Sequence, residues 1–134
     1  FKQWRQLCLD IVTILGHEFV HQRQHQNRNF KFGKSYSSKH TDLDQKRAQE
    51  YYGHSDEVDA YSFTAAAVMA QGLRTGETVD FKSTGVYDHY KKAFGADHSI
   101  VTKLEKRSLK YYNILKGQYN EQTNRQRPRA RSRQ

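Results

Sequence analysis

The chain of 134 residues has one cysteine, Cys8, so no internal disulfide framework can form. It has no apolar run near the ~20 residues that span a bilayer, and mean hydropathy is −1.04, which excludes a membrane span. Apolar residues reach only 35%, so the core must be small and the length suits one domain. There is no internal repeat and no Cys-His finger of the kind that reads DNA. The chain opens on Phe1 rather than Met and shows no apolar signal segment, so residues upstream are expected to be missing from view.

What is present is aromatic and basic. Nine Tyr, seven Phe and one Trp argue against simple disorder. The net charge of +9 is uneven: residues 1–50 carry 9 bases and 5 acids, residues 51–100 carry 4 and 7, and residues 101–134 carry 10 and 2. Much of the excess is in Arg125, Arg127, Arg129, Arg131 and Arg133, which alternate with polar or small residues around Pro128. Residues 118–134 therefore read as a basic tail, disordered or held by a partner, with nucleic acid or an acidic protein surface as the matching chemistry.

Periodicity predicts a mostly α fold. Trp4, Leu7, Cys8, Ile11, Val12, Leu15 and Phe19 recur at three- and four-residue spacing, predicting a helix over 3–26 with that stripe buried. Phe30 and Phe32 alternate around Lys31, as in a brief strand. Thr41 and Asp44 resemble a capping pair for a helix over 41–52, stopped by Gly53. Ser55 is the expected N-cap of a third helix that turns Ala60, Phe63, Thr64, Ala67 and Val68 inward and ends at Gly72. A loop over 73–85, a short helix over 87–94 and a last helix over 99–116 follow. That last helix is expected to bury Ile100, Val101, Leu104, Ser108, Tyr111, Tyr112 and Leu115, and to close at Gly117.

The chemistry lies in His17-Glu18-Phe19-Val20-His21. Residues i and i+4 project from one helix face a turn apart, so both imidazoles can reach one Zn²⁺ at ~2.0–2.1 Å. Glu18 then stands beside the metal without binding it, where a general base is needed. Gly16 would let another element approach closely. A third ligand must come from elsewhere. The metzincin spacing would place Gly and His at positions occupied here by Gln24 and Asn27, and a straight helix carries His25 too far from His17. The segment His54-Ser55-Asp56-Glu57-Val58-Asp59 offers Glu57, with Asp59, Asp56 and His54 as substitutes. Asp56 and Glu57 are also the acids a helix dipole favours in its first turn, and Glu57 and Asp59 lie about 200° apart on a helix.

These residues resemble a family. His17-Glu18-x-x-His21 with Gln24, followed by Tyr51-Tyr52-x-His54-x-Asp56-Glu57-Val58-Asp59-Ala60-Tyr61-x-Phe63, is similar to phage-encoded zinc metallopeptidases of the glutamate-zincin type. The run from Glu57 to Met69 and the Lys103-Leu104-x-Lys106-x-x-Leu109-Lys110-Tyr111-Tyr112 segment are similar to the same set, covering about residues 10–115. The resemblance implies a zincin-like domain over 1–117 with an active-site helix and a second ligand-bearing helix, α+β if a sheet lies upstream. It implies His17, His21 and Glu57 on zinc, Glu18 as base and a peptide or protein as substrate, in a virion or the host cytoplasm. Thermolysin-like enzymes carry an Asp four residues after the glutamate ligand, where this chain has Tyr61. Tyr61, His54 and Asp59 are the candidates for oxyanion or supporting contacts, with His89, His98 and Tyr87 also able to donate. Two rival functions fit parts of the sequence: a virion structural protein using zinc as a staple, and a nucleic-acid binder using the Arg tail with Lys103, Lys106 and Lys110.

Overall fold

A computed structural model describes residues 2–31 and 45–126. Five α-helices occupy most of them: α1 (Lys2–Asn27), α2 (Gln45–Gly53), α3 (Ser55–Thr75), α4 (Gly85–Phe94) and α5 (Ser99–Gln126), with a single 3-10 turn at Phe81–Ser83 before α4. No strand occurs among the described residues, so the fold is mostly α. Phe30, expected in a brief strand, sits in a turn with φ +58°, and Phe32 and the Thr41–Asp44 pair lie outside the described residues.

The centre of the molecule is α3, which packs against α5 on one side and α1 on another. Its middle is built from small residues: Ala60, Ser62, Ala65 and Ala66 are all buried. The Ser62 hydroxyl donates to the Val58 carbonyl (2.6 Å), and the Ser108 hydroxyl does the same to Leu104 (2.8 Å), so neither buried hydroxyl costs a lost hydrogen bond. Val58, Met69, Phe81, Val86, Tyr90, Val101 and Leu104 complete one apolar cluster between α3, α4 and α5. Of the inward face expected for the last helix, Val101, Leu104 and Ser108 are buried and Ile100, Tyr111, Tyr112 and Leu115 half-buried. Also present are α4, capped by the Thr84 hydroxyl on the Tyr87 amide, and α2, joined to α4 through Gln49 and the Ala93 carbonyl.

Three boundaries differ from expectation. His54, not Ser55, caps α3, its Nδ1 accepting from the Asp56 amide. α3 also passes Gly72, which lies inside the helix where the returning chain at Glu77 leaves no room for a side chain, and stops at Gly76 with φ +74°. Lastly, α5 runs through Gly117 to Gln126. A helix glycine costs only about 1 kcal/mol, and the residues around it are good helix formers. Residues 118–126 are thus helical rather than part of a tail.

The largest correction concerns α1. Trp4, Leu7, Ile11, Val12, Leu15 and Phe19 are exposed, and Cys8 is half-buried. The face turned to α3 instead carries Leu9, Thr13, Gly16, His17, Val20, His21 and Gln24, of which Val20 is buried and the others half-buried. Apolar count favoured one stripe, but close approach selects the other. A Cβ on Gly16 would stand 2.5 Å from Phe63 Cε1, and that ring is itself held edge-on by Tyr111. Gly16→Ala should therefore lose to overpacking what it gains in helix propensity, while Gly117→Ala, with open space around it, only gains. Denaturant titrations are expected to separate the two variants by about 1–3 kcal/mol, Gly117→Ala being the more stable.

Candidate metal centre

α1 presents His17 and His21 one turn apart, and the first turn of α3 presents Glu57 to them. Glu57 is 1% exposed, so it is no solvated first-turn acid. A carboxylate so buried needs a charged or hydrogen-bonding counterpart, and its oxygens face the two imidazoles. His21 Nε2 is 3.3 Å from Glu57 Oε1, His17 Nε2 is 3.7 Å from Oε2, and the two Nε2 atoms are 3.2 Å apart. Ligands held ~2.0–2.1 Å from a tetrahedral ion stand ~3.3–3.4 Å from one another. The two Nε2 atoms and the His21–Glu57 pair stand near that edge length, whereas the His17–Glu57 distance is longer and runs to the other carboxylate oxygen. Among the described residues, these three are the one group of His, Cys, Asp or Glu side chains gathered closely enough to share an ion.

The other ring nitrogens are occupied. His17 Nδ1 is 3.3 Å from the Thr64 hydroxyl, whose own proton goes to the Ala60 carbonyl (3.2 Å); Thr64 therefore accepts and His17 Nδ1 donates. His21 Nδ1 donates to Gln24 Oε1 (2.9 Å). Both histidines are thereby fixed in the tautomer that leaves Nε2 free for a cation. Gln24 is anchored in turn, its amide donating to the Asp56 carbonyl (3.1 Å) and lying 3.5 Å from Asp59 Oδ2. Asp59 accepts from the Tyr111 hydroxyl (3.1 Å), with Arg107 at 3.8 Å. Arg28 pairs with both Asp56 carboxylate oxygens (2.6 Å to Oδ2), tying the end of α1 to the start of α3. Gln24→Leu should lower zinc affinity 10–100-fold while leaving the helical circular dichroism unchanged, as competition titration against a chromophoric chelator would measure.

Electrostatics separates the two rings. The hydrogen bond with Glu57 raises His21 to about 9 against the opposing effect of burial, and Gln24 adds to it. Burial, and after it the charge on His21, holds His17 below its ordinary value. At neutral pH in the metal-free protein the proton on His21 Nε2 thus occupies the position a cation would take, and the two compete. Because the folded value lies above the unfolded 6.5, this pairing contributes stability that is fully present below pH 6.5 and lost as pH rises through about 9. Metal-free protein is expected to show a falling unfolding midpoint across that interval, and His21→Ala to remove this part of the pH dependence.

Of the remaining candidates, Glu18 is exposed beside the cluster, close enough for its charge to raise both histidines. Tyr61 packs edge-on against His17 with ring centroids 4.6 Å apart, and burial pushes its hydroxyl up to about 12, so it stays protonated. Asp59 supports Gln24, while His54 serves as the α3 cap. His25 and His54 do not join the ligand group. His89 and His98 are exposed, His98 Nδ1 accepting from the Ile100 amide, and Tyr87 packs on Phe81. Arg125 is exposed near the end of α5; Arg127, Arg129, Arg131 and Arg133 lie outside the described residues. Gln24 and Thr64 were not predicted as supports. Gln24 was legible, since it falls three residues after His21 and seven after His17 on one face.

Comparison with protein-family models, curated proteins and solved structures finds no match for this chain.

Proposed function

We propose that the chain is a zinc-dependent peptidase of the glutamate-ligand type, with His17 Nε2, His21 Nε2 and Glu57 as the protein ligands. The supporting observation is the gathering of two Nε2 atoms, 3.2 Å apart, with a buried Glu57 carboxylate, one ligand atom from each residue lying within 4.8 Å of the others. A divalent ion bound there would supply Lewis acidity toward a peptide carbonyl and toward water. Glu18 takes the proton from the attacking water and returns it to the departing amine as the C–N bond breaks. Thr64 and Gln24 hold the imidazole tautomers, and Tyr61 fixes the His17 ring. No fourth His, Cys, Asp or Glu joins the group among the described residues, which favours an open position over a closed structural site.

A second role has its own support. No residue of α1 belongs to the buried apolar cluster; α1 meets α3 through His17, Gln24 and the Gly16 contact, and Arg28, just past its end, pairs with Asp56. An ion shared between the helices would also staple them, as in a virion scaffold protein that never turns over substrate. Zinc titration combined with cleavage of an unfolded protein such as reduced casein tests the peptidase reading. One equivalent of zinc and hydrolysis abolished by chelator and restored by zinc are expected. Zinc binding without hydrolysis would leave only the staple, and no zinc binding would remove both.

A further inference from the structure

Among the described residues, nothing covers the outer face of α1. Trp4, Leu7, Ile11, Val12, Ile14, Leu15 and Phe19 are each 47–67% exposed. At 100° per residue they span an arc of about 160° on the side opposite α3. Between Trp4 and Leu15 no charged residue falls within this arc, and Asp10 lies on the far side of the helix. Side chains of this size at these exposures present roughly 700 Å². That exceeds the ~300–600 Å² of the largest apolar patch on a typical monomer. It is close to the ~800 Å² that each partner buries in a stable dimer.

From this area and its internal symmetry we infer that the face is the interface between two copies of this chain, paired through antiparallel α1 helices. The sequence is self-complementary about a point between Ile11 and Val12. A two-fold axis there sets Trp4 opposite Phe19 of the second copy, Cys8 opposite Leu15, and Ile11 opposite Val12. This is the isologous pairing that a closed dimer requires, over a contact about 22 Å long. Alternative positions of the axis leave Trp4 or Phe19 without an apolar neighbour. Glu18 falls inside the arc, about 40° from its middle and toward its C-terminal end, so the start of the second α1 lies beside it. The pairing does not depend on a bound metal.

Sedimentation velocity on the full chain between 1 and 100 µM, with and without zinc, is the test. A species of twice 15.8 kDa is expected in both conditions. The Ile11→Glu/Val12→Glu double variant should sediment as a monomer with unchanged helical circular dichroism. Should that variant not fold, Val12→Cys in a Cys8→Ser background provides a second readout. Oxidised glutathione should cross-link it into dimers, and should not cross-link Lys106→Cys on the exposed side of α5. A wild-type monomer at 100 µM overturns the inference, and so does a dimer that survives the double variant. Polydisperse aggregation would mark a sticky surface rather than an interface. A monomer that binds phosphatidylcholine vesicles would assign the face to lipid. Either result would contradict the inference.

Discussion

Glu18→Gln is expected to keep one zinc per chain and to lose 10²- to 10⁴-fold in peptide hydrolysis. The amide is nearly isosteric with the carboxylate and cannot accept the proton that attack requires. Glu18 is exposed and makes no contact on which packing depends, so stability should be unchanged. Because the substitution leaves His17, His21 and Glu57 in place, metal content and hydrolysis part company in this variant alone. Hydrolysis that persists at the wild-type rate would take Glu18 out of the mechanism. A parallel loss of zinc would show that Glu18 is a ligand rather than a base.

His21→Ala should cost more, because it removes a proposed ligand, the partner of a buried carboxylate and the ring that Gln24 orients. Metal content is expected to fall from one equivalent to below detection after dialysis. An ion bound at a thousand times its dissociation constant adds about 4 kcal/mol to stability. In a chain of this length the corresponding drop in unfolding midpoint is on the order of 10 °C. Wild-type protein should show this drop on adding chelator, and His21→Ala should show none. A chelator response that survives the substitution would place the ion elsewhere.

The sequence-based reading located the helices well where propensity and packing agree, and failed where they conflict. Ile100, Val101, Leu104 and Ser108 lie on the face their spacing predicts because α5 has one apolar stripe and turns it to α3, its main neighbour. α1 has an apolar stripe and a face of small and polar residues, and α3 takes the second. Gly16 was the legible sign: a glycine beside the His-Glu-x-x-His turn marks where another element comes close, here the Phe63 ring. Glu57 could be read as a ligand or as a dipole-favoured acid, and its burial against two imidazoles is a tertiary fact that no local pattern carries. The contacts Tyr111 to Asp59 and Thr64 to His17 join residues 52 and 47 apart, a relation no local pattern encodes. At the other extreme, Gly117 and Gly72 look like stop signals, yet one costs too little to end a helix and the other makes room for a returning loop.

Zinc K-edge absorption fine structure on the chain loaded with one equivalent of zinc measures the ligand set directly. Two imidazole nitrogens and carboxylate or water oxygens at ~2.0–2.1 Å are expected, with no sulfur contribution from Cys8, and with the imidazole signal lost in His17→Ala/His21→Ala. A sulfur shell at ~2.3 Å, or a spectrum the double variant leaves unchanged, would contradict the site formed by His17, His21 and Glu57.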